Sequence, residues 1–166
     1  MNRSSHRRPA HRAVTCWRSL LVIAGTALAT VAARADRVAV APPLPAYQQE
    51  CGACHLAYPP ALLPAASWQH LMDNLSQHYG TDASLDAATA RTIGAWLNVY
   101  AARGKHARET PPRDRITRAG WFVREHREVA PAVWQRPSIK SAAQCGACHG
   151  GAEQGRFDEH DIRIPK

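Results

Sequence analysis

The sequence predicts an all-α fold built as two small helical domains, and three observations carry that expectation. Apolar residues recur at helical spacing in three separate stretches. No stretch alternates apolar and polar residues in the way a half-buried strand does. The pentapeptide Cys-Gly-Ala-Cys-His occurs twice, at Cys51–His55 and at Cys145–His149, once in each half of the chain.

Residues 1–35 have the form of a cleaved secretory signal. Arg3, Arg7, Arg8, Arg12 and Arg18 precede an apolar stretch from Leu20 to Ala33, and Ala33-Arg34-Ala35 is an Ala-x-Ala cleavage site. The stretch is short for a membrane anchor, and no later segment is apolar enough to span a bilayer. Cys16 lies ahead of the stretch and leaves with it. In a bacterium the destination is the periplasm, so the mature protein is not membrane-embedded.

The basic balance of the whole chain, +8, comes largely from this leader. Its six arginines face no acid, and what remains is 15 basic and 13 acidic side chains. The strong overall basicity is therefore no argument for nucleic acid. The remaining charge is uneven: residues 36–100 hold 2 basic and 5 acidic side chains, residues 101–140 hold 10 and 4. Such a dipole can orient a protein partner during encounter.

Asp36 to Pro45 is rich in Ala, Pro and Val and reads as a leader into a short helix at about Tyr47–Glu50. Pro59, Pro60 and Pro64 keep the following stretch non-helical. A helix capped by Ser67 runs to about Tyr79, with Gly80 closing it and Trp68, Leu71, Met72, Leu75 and Tyr79 on one stripe. A second covers about Ser84 to Arg103, its inner side formed by Leu85, Ala88, Thr92, Ile93, Trp96, Leu97 and Tyr100, with Gly104 ending it. Thr110-Pro111-Pro112-Arg113 marks the domain boundary, giving domains at 36–110 and 111–166. A third helix spans about Ile116 to Val129 and stops before Pro131. The tail from Gly150 is Gly- and acid-rich without a clear period.

Cys-x-x-Cys-His is the attachment site of a c-type haem. Each thiol forms a thioether with a haem vinyl group, and the adjoining His becomes the proximal iron ligand. Cys51, Cys54, Cys145 and Cys148 are thus the thioether residues, and His55 and His149 the proximal ligands, for two haems c. A redox dithiol would sit in a βαβ context, which is missing. A zinc site would normally bring its cysteine pairs closer in sequence than Cys51 and Cys145, and neither alternative needs His after both pairs. Each half is too short to build a large core from side chains alone, and a haem supplies the apolar mass that is lacking.

The sixth position of each iron is taken, as a rule, by Met or His. Beyond the leader there is a single methionine, Met72, and it lies in an apolar stripe where packing is its expected task. The histidine candidates are His70, His78, His106, His126 and His160. His70 falls opposite its helix's apolar stripe and reads as solvated, whereas His78 falls on the flank and is the candidate for the first haem. His126 shares a side with Phe122 and Val129, opposite Arg124, Arg127 and Glu128, and is the candidate for the second. His160 is its runner-up, although Asp158, Glu159 and Asp161 suggest exposure. His106, beside Lys105 and Arg108, reads as surface.

Four segments together resemble a known family: Cys51–His55; Gln77-His78-Tyr79-Gly80-Thr81-Asp82-Ala83-Ser84-Leu85; Gly120-Trp121-Phe122-Val123-Arg124-Glu125-His126; and Cys145–His149 with Gly155-Arg156-Phe157 and a terminal Ile164-Pro165. The chain is similar to the DHC-type dihaem cytochromes c, and its first half resembles a class I cytochrome c. The family resemblance implies a periplasmic electron carrier with two low-potential bis-histidine haems, working between a membrane b-type cytochrome and a small monohaem cytochrome that binds oxygen or nitric oxide. The residues point the same way, since two irons with both axial positions filled pass electrons and do not bind substrate. The expectation is therefore a carrier and not an enzyme. The competing reading is a haem protein with one open iron that binds a gas or catalyses a redox reaction.

Overall fold

The computed structural model describes residues 40–166; the expected signal and its cleavage site lie outside the described residues. The all-α expectation holds. Five α-helices and a series of 3₁₀ turns make up the regular structure, and the only β pairings among the described residues are isolated bridges at His78–Thr81 and His149–Ile162.

Helix α1, Pro45–Cys51, begins on a proline whose fixed φ suits the first helical position. It turns Tyr47 into the core and ends on the first cysteine of the first pentapeptide. A 3₁₀ turn at Pro60–Leu62 follows, and its Pro60 carbonyl accepts the buried Trp68 indole N–H at 2.7 Å.

Helix α2 corrects the expected span. It runs Ala65–Asp73, with Pro64 at the cap position, so Ser67 lies buried inside the helix and does not cap it. It also stops six residues short of Tyr79. At Asn74 the backbone turns to φ −126°, ψ 32°, and the Asn74 amide donates to the His70 carbonyl at 2.8 Å. A short amide side chain offering the backbone an alternative partner is a common way to end a helix. Leu75–Gln77 is a 3₁₀ turn, and Tyr79 (φ 52°) and Gly80 (φ 97°) reverse the chain in the left-handed region. His78 therefore sits in a turn, not on a helix flank.

Helix α3 is Ala87–Tyr100, shorter at both ends than expected. Asp86 is its cap, accepting from the backbone N–H groups of Ala88 and Thr89 at 3.0 and 3.1 Å. Ile93 and Leu97 are fully buried and Trp96 and Tyr100 partly so, but Ala88 and Thr92 face solvent and do not belong to the inner side. Gly104 does not end this helix. It opens a separate 3₁₀ turn, Gly104–Ala107, with φ 60°.

The expected helix from Ile116 to Val129 is broken in two. Ile116–Arg118 forms a 3₁₀ turn, Ala119 is extended, and α4 covers Gly120–Glu125. The Glu109 carboxylate accepts the Gly120 N–H at 2.9 Å, which anchors the first turn. His126 is the residue after the helix, at φ −107°. A further short helix, α5 at Pro131–Trp134, was not anticipated; its proline starts it just as Pro45 starts α1.

Tyr47, Leu62, Leu63, Trp68, Ile93, Leu97 and Ala101 form one buried cluster with Ile116, Ala119 and Phe122. Met72 packs against this cluster, the role its stripe suggested.

Asp86→Ala should lower the Tm of the haem-loaded protein by a few degrees, about 3–5 °C, through loss of the α3 cap. Hydrogen bonds from Thr89, then Ala88, hold the Asp86 carboxyl below its usual value. A carboxyl depressed in this way contributes stability above the ordinary carboxylate pKa and loses it as pH falls through the lowered one. The Tm gap between wild type and Asp86→Ala should therefore close below about pH 4. Melting curves at pH 7 and pH 3 measure it; an equal gap at both would refute the cap assignment.

Candidate haem sites

The first site gathers around His55. Its Nδ1 lies 2.7 Å from the Leu56 carbonyl oxygen, which leaves Nε2 available as a ligand. The turn after α2 brings the His78 ring to 6.1 Å from the His55 ring, centroid to centroid, with the planes 22° apart. Tyr58 stacks on His55 at 5.0 Å and 28°, and Tyr79 meets His78 edge-on at 4.9 Å. Arg115 lies over the Tyr79 ring at 4.0 Å. The Tyr79 hydroxyl reaches the carbonyls of Arg113 and Asp114, two consecutive residues of positive φ, at 3.0 and 3.1 Å.

The second site repeats the arrangement with different walls. His126 lies 6.1 Å from His149, but here the planes are 76° apart. Phe122 stacks on His126 at 4.0 Å and 19°, and the His126 Nδ1 is 2.9 Å from the Phe122 carbonyl oxygen. Trp134 stands 5.8 Å from His126, and Phe157 meets His149 at 5.4 Å. His160 is exposed in the 3₁₀ turn Glu159–Asp161. His70 is exposed too, its Nδ1 3.5 Å from an Asp114 carboxylate oxygen. His106 departs from expectation: it is half-buried against Trp121, ring centroids 5.0 Å apart. A cavity of about 560 Å³ opens there, also lined by Arg108, Glu109 and Arg124; its lining includes none of the four cysteines and none of the paired histidines.

The chemistry of both sites fits a covalently held iron macrocycle. An imidazole nitrogen bonds a metal at about 2 Å, and the nitrogen is about 1 Å from its ring centre. Two imidazoles sharing one metal therefore have centroids roughly 6 Å apart, the separation found in both pairs. The Nδ1 atoms of His78 and His149 are buried with no partner among the described residues. Burial, and then the facing ring, hold the His78 and His149 imidazoles below the usual histidine range, the neutral form a metal ligand needs.

The thiols argue against the alternatives. None of the four is in a disulfide. Burial pushes the Cys51 and Cys145 thiols up to about 11, where a reactive redox dithiol would be pushed down. No group of three or more His, Cys, Asp or Glu among the described residues is placed to hold a metal ion, so the two cysteine pairs do not build a zinc site.

Sequence reasoning missed two of the aromatic walls, Tyr58 and Trp134. Tyr58 precedes two prolines in a non-helical segment, where no periodicity reveals a buried face. Trp134 lies on the unanticipated α5. The signal that could have found Tyr58 is its place three residues after His55.

Paired cysteines at each of two Cys-x-x-Cys-His segments, on a frame whose elements are helical throughout the described residues, define a dihaem c-type cytochrome. The dihaem cytochrome c family model, DHC, matches residues 47–157, and the chain belongs to that family. It is an electron-transfer haem protein with two c-type haems, and Cys51 with Cys54 and Cys145 with Cys148 fit the attachment motifs. Solved relatives agree. A dihaem cytochrome c from Shewanella baltica OS155 is 38% identical, with 73% of this chain and 92% of that one covered and a TM-score of 0.65. DHC purified from Rhodobacter sphaeroides is 42% identical over 70% of this chain and 99% of that one, TM-score 0.61. A further structure of the Rhodobacter sphaeroides dihaem cytochrome c is 43% identical over 72% and 100%, TM-score 0.63. Among curated proteins, none matches. No helix of the described residues is long and apolar enough to cross a membrane.

Proposed function

We propose that this chain is a periplasmic electron carrier in which each iron is held by two histidines, His55 with His78 and His149 with His126. The observation that carries the reading is the pairing itself: each proximal histidine faces one other imidazole at 6.1 Å. The haems supply a one-electron iron couple. The chain's part is to fill both axial positions, exclude other ligands and keep the sites partly dry. Aromatic walls at Tyr58 and Tyr79, and at Phe122, Trp134 and Phe157, do the excluding. With imidazole on both sides and no methionine ligand, both potentials lie low.

A carrier with no open iron is not an enzyme. Its partners are redox proteins, on this reading a membrane b-type cytochrome on one side and a small monohaem cytochrome on the other. The arginine-rich stretch from Arg103 to Arg136 supplies an electropositive face for encounter.

The test is spectroscopic. The purified mature protein should begin at Asp36, carry the mass of two haems, show low-spin ferric spectra at both irons, and resist carbon monoxide when reduced. Rapid stoichiometric carbon monoxide binding at either iron would overturn the reading in favour of an open, gas-binding site.

A further inference from the structure

The two histidine pairs have the same separation but different orientations. The imidazole planes are 22° apart at the first site and 76° apart at the second. We propose that Tyr58 and Phe122 are positioning residues that hold one imidazole pair near-parallel and the other near-perpendicular, so that the two haem sites of this chain are electronically unlike. The proposal rests on the bis-histidine reading above and goes beyond it.

Rotation of an axial imidazole about its metal bond is opposed by two kinds of restraint: a hydrogen bond at the remote nitrogen and a surface packed against the ring. His55 has both. Its Nδ1 lies on the Leu56 carbonyl, and Tyr58 is stacked 28° from its plane. Tyr58 is itself fixed at two points. Its hydroxyl donates to the Ala143 carbonyl at 2.8 Å, 85 residues away, and its own carbonyl accepts the Tyr47 hydroxyl at 2.6 Å. His126 has both restraints from one residue: the Phe122 carbonyl at its Nδ1 and the Phe122 ring 19° from its plane. Phe122 is a core residue, packed between Trp121 and Trp134.

The consequence follows from orbital symmetry. An imidazole donates π density perpendicular to its own plane, into one of the two dπ orbitals of a low-spin ferric iron. Two parallel imidazoles act on the same orbital and split the pair; two perpendicular ones act on one each and leave the pair nearly degenerate. The first case gives a rhombic electron paramagnetic resonance signal with three resolved g values. The second gives a broad, highly anisotropic signal displaced to higher g.

Low-temperature spectra of the oxidised, haem-loaded protein test this directly. Wild type should show both signals in equal amount. Phe122→Leu should shift or abolish the broad signal and leave the rhombic one. Tyr58→Leu should do the reverse, and Tyr58→Phe, which keeps the ring, should leave both. Two superimposable low-spin signals in wild type would overturn the proposal while leaving bis-histidine ligation standing. A high-spin signal in wild type would overturn both. If Phe122→Leu does not fold, the wild-type spectrum together with Tyr58→Leu still decides, and an unmoved rhombic signal in Tyr58→Leu refutes the role of the ring.

Discussion

His78→Ala should convert the first haem, and His126→Ala the second, from low-spin to high-spin, each gaining carbon monoxide binding at that iron alone. Each substitution removes the ring that faces a proximal histidine at 6.1 Å and puts nothing in its place. No methionine is at hand, because Met72 is packed against the core. The opened haem should also rise in potential, since loss of an imidazole donor removes a group that favours the ferric state. The controls are internal. His70→Ala, His106→Ala and His160→Ala should leave both haems low-spin, because His70 and His160 are exposed and His106 packs against Trp121 with its ring tilted by 30°. Visible spectra of the five variants, oxidised and then reduced under carbon monoxide, measure all of this. A fully low-spin His126→Ala beside a high-spin His160→Ala would reassign the second distal ligand.

Leu97→Ala should cost about 2–5 kcal/mol of stability, the usual penalty for emptying a fully buried leucine site. Leu97 is 1% exposed and belongs to the cluster that joins α1, α2 and α3 to Ile116, Ala119 and Phe122. In a chain of this size the loss corresponds to a Tm lower by on the order of 10 °C. Val99, two residues along the same helix, is 54% exposed, and Val99→Ala should be close to neutral. Thermal melts of the haem-loaded variants by far-ultraviolet circular dichroism compare the two; equal shifts would mean that α3 does not bury the side described.

The haem-attachment segments, the absence of strands, and the existence of α1, α2 and α3 were legible in the sequence because each rests on a local signal: a pentapeptide, a period, a proline. The ends of the helices were not, because they depend on which side chain captures a backbone group. Asn74 ends α2 by bonding the His70 carbonyl, and Asp86, not Ser84, starts α3. The turn that carries His78 to His55 was read as a continuing helix. The residue was singled out, but the route was different: the reversal at Tyr79 and Gly80, fastened from Arg113 and Asp114, brings the ring across. The helical face expected to join His126 to Phe122 and Val129 ends at Glu125, and what is found is the stacking on Phe122. The Phe122 carbonyl at the His126 Nδ1 is a companion to the facing imidazole, since one ring has two nitrogens. The anchor of Tyr58 lies beyond local reading, because its hydroxyl partner is 85 residues away.

That long reach bears on the order in which the molecule can be completed. A chain is made from its N-terminus, so Cys51–His55 emerges well before the segments that fasten its surroundings. Tyr79 must wait 34 residues for the Arg113 carbonyl, and Tyr58 must wait 85 for that of Ala143. Haem attachment that kept pace with synthesis would meet the first pentapeptide while the loop carrying His78 is still unfastened. The second pentapeptide has a shorter interval, since Phe122, His126 and Trp134 are already out when Cys145 appears, and Phe157 and Ile162 follow soon after. On that order the first attachment site precedes most of its fastenings, and the second follows most of its walls.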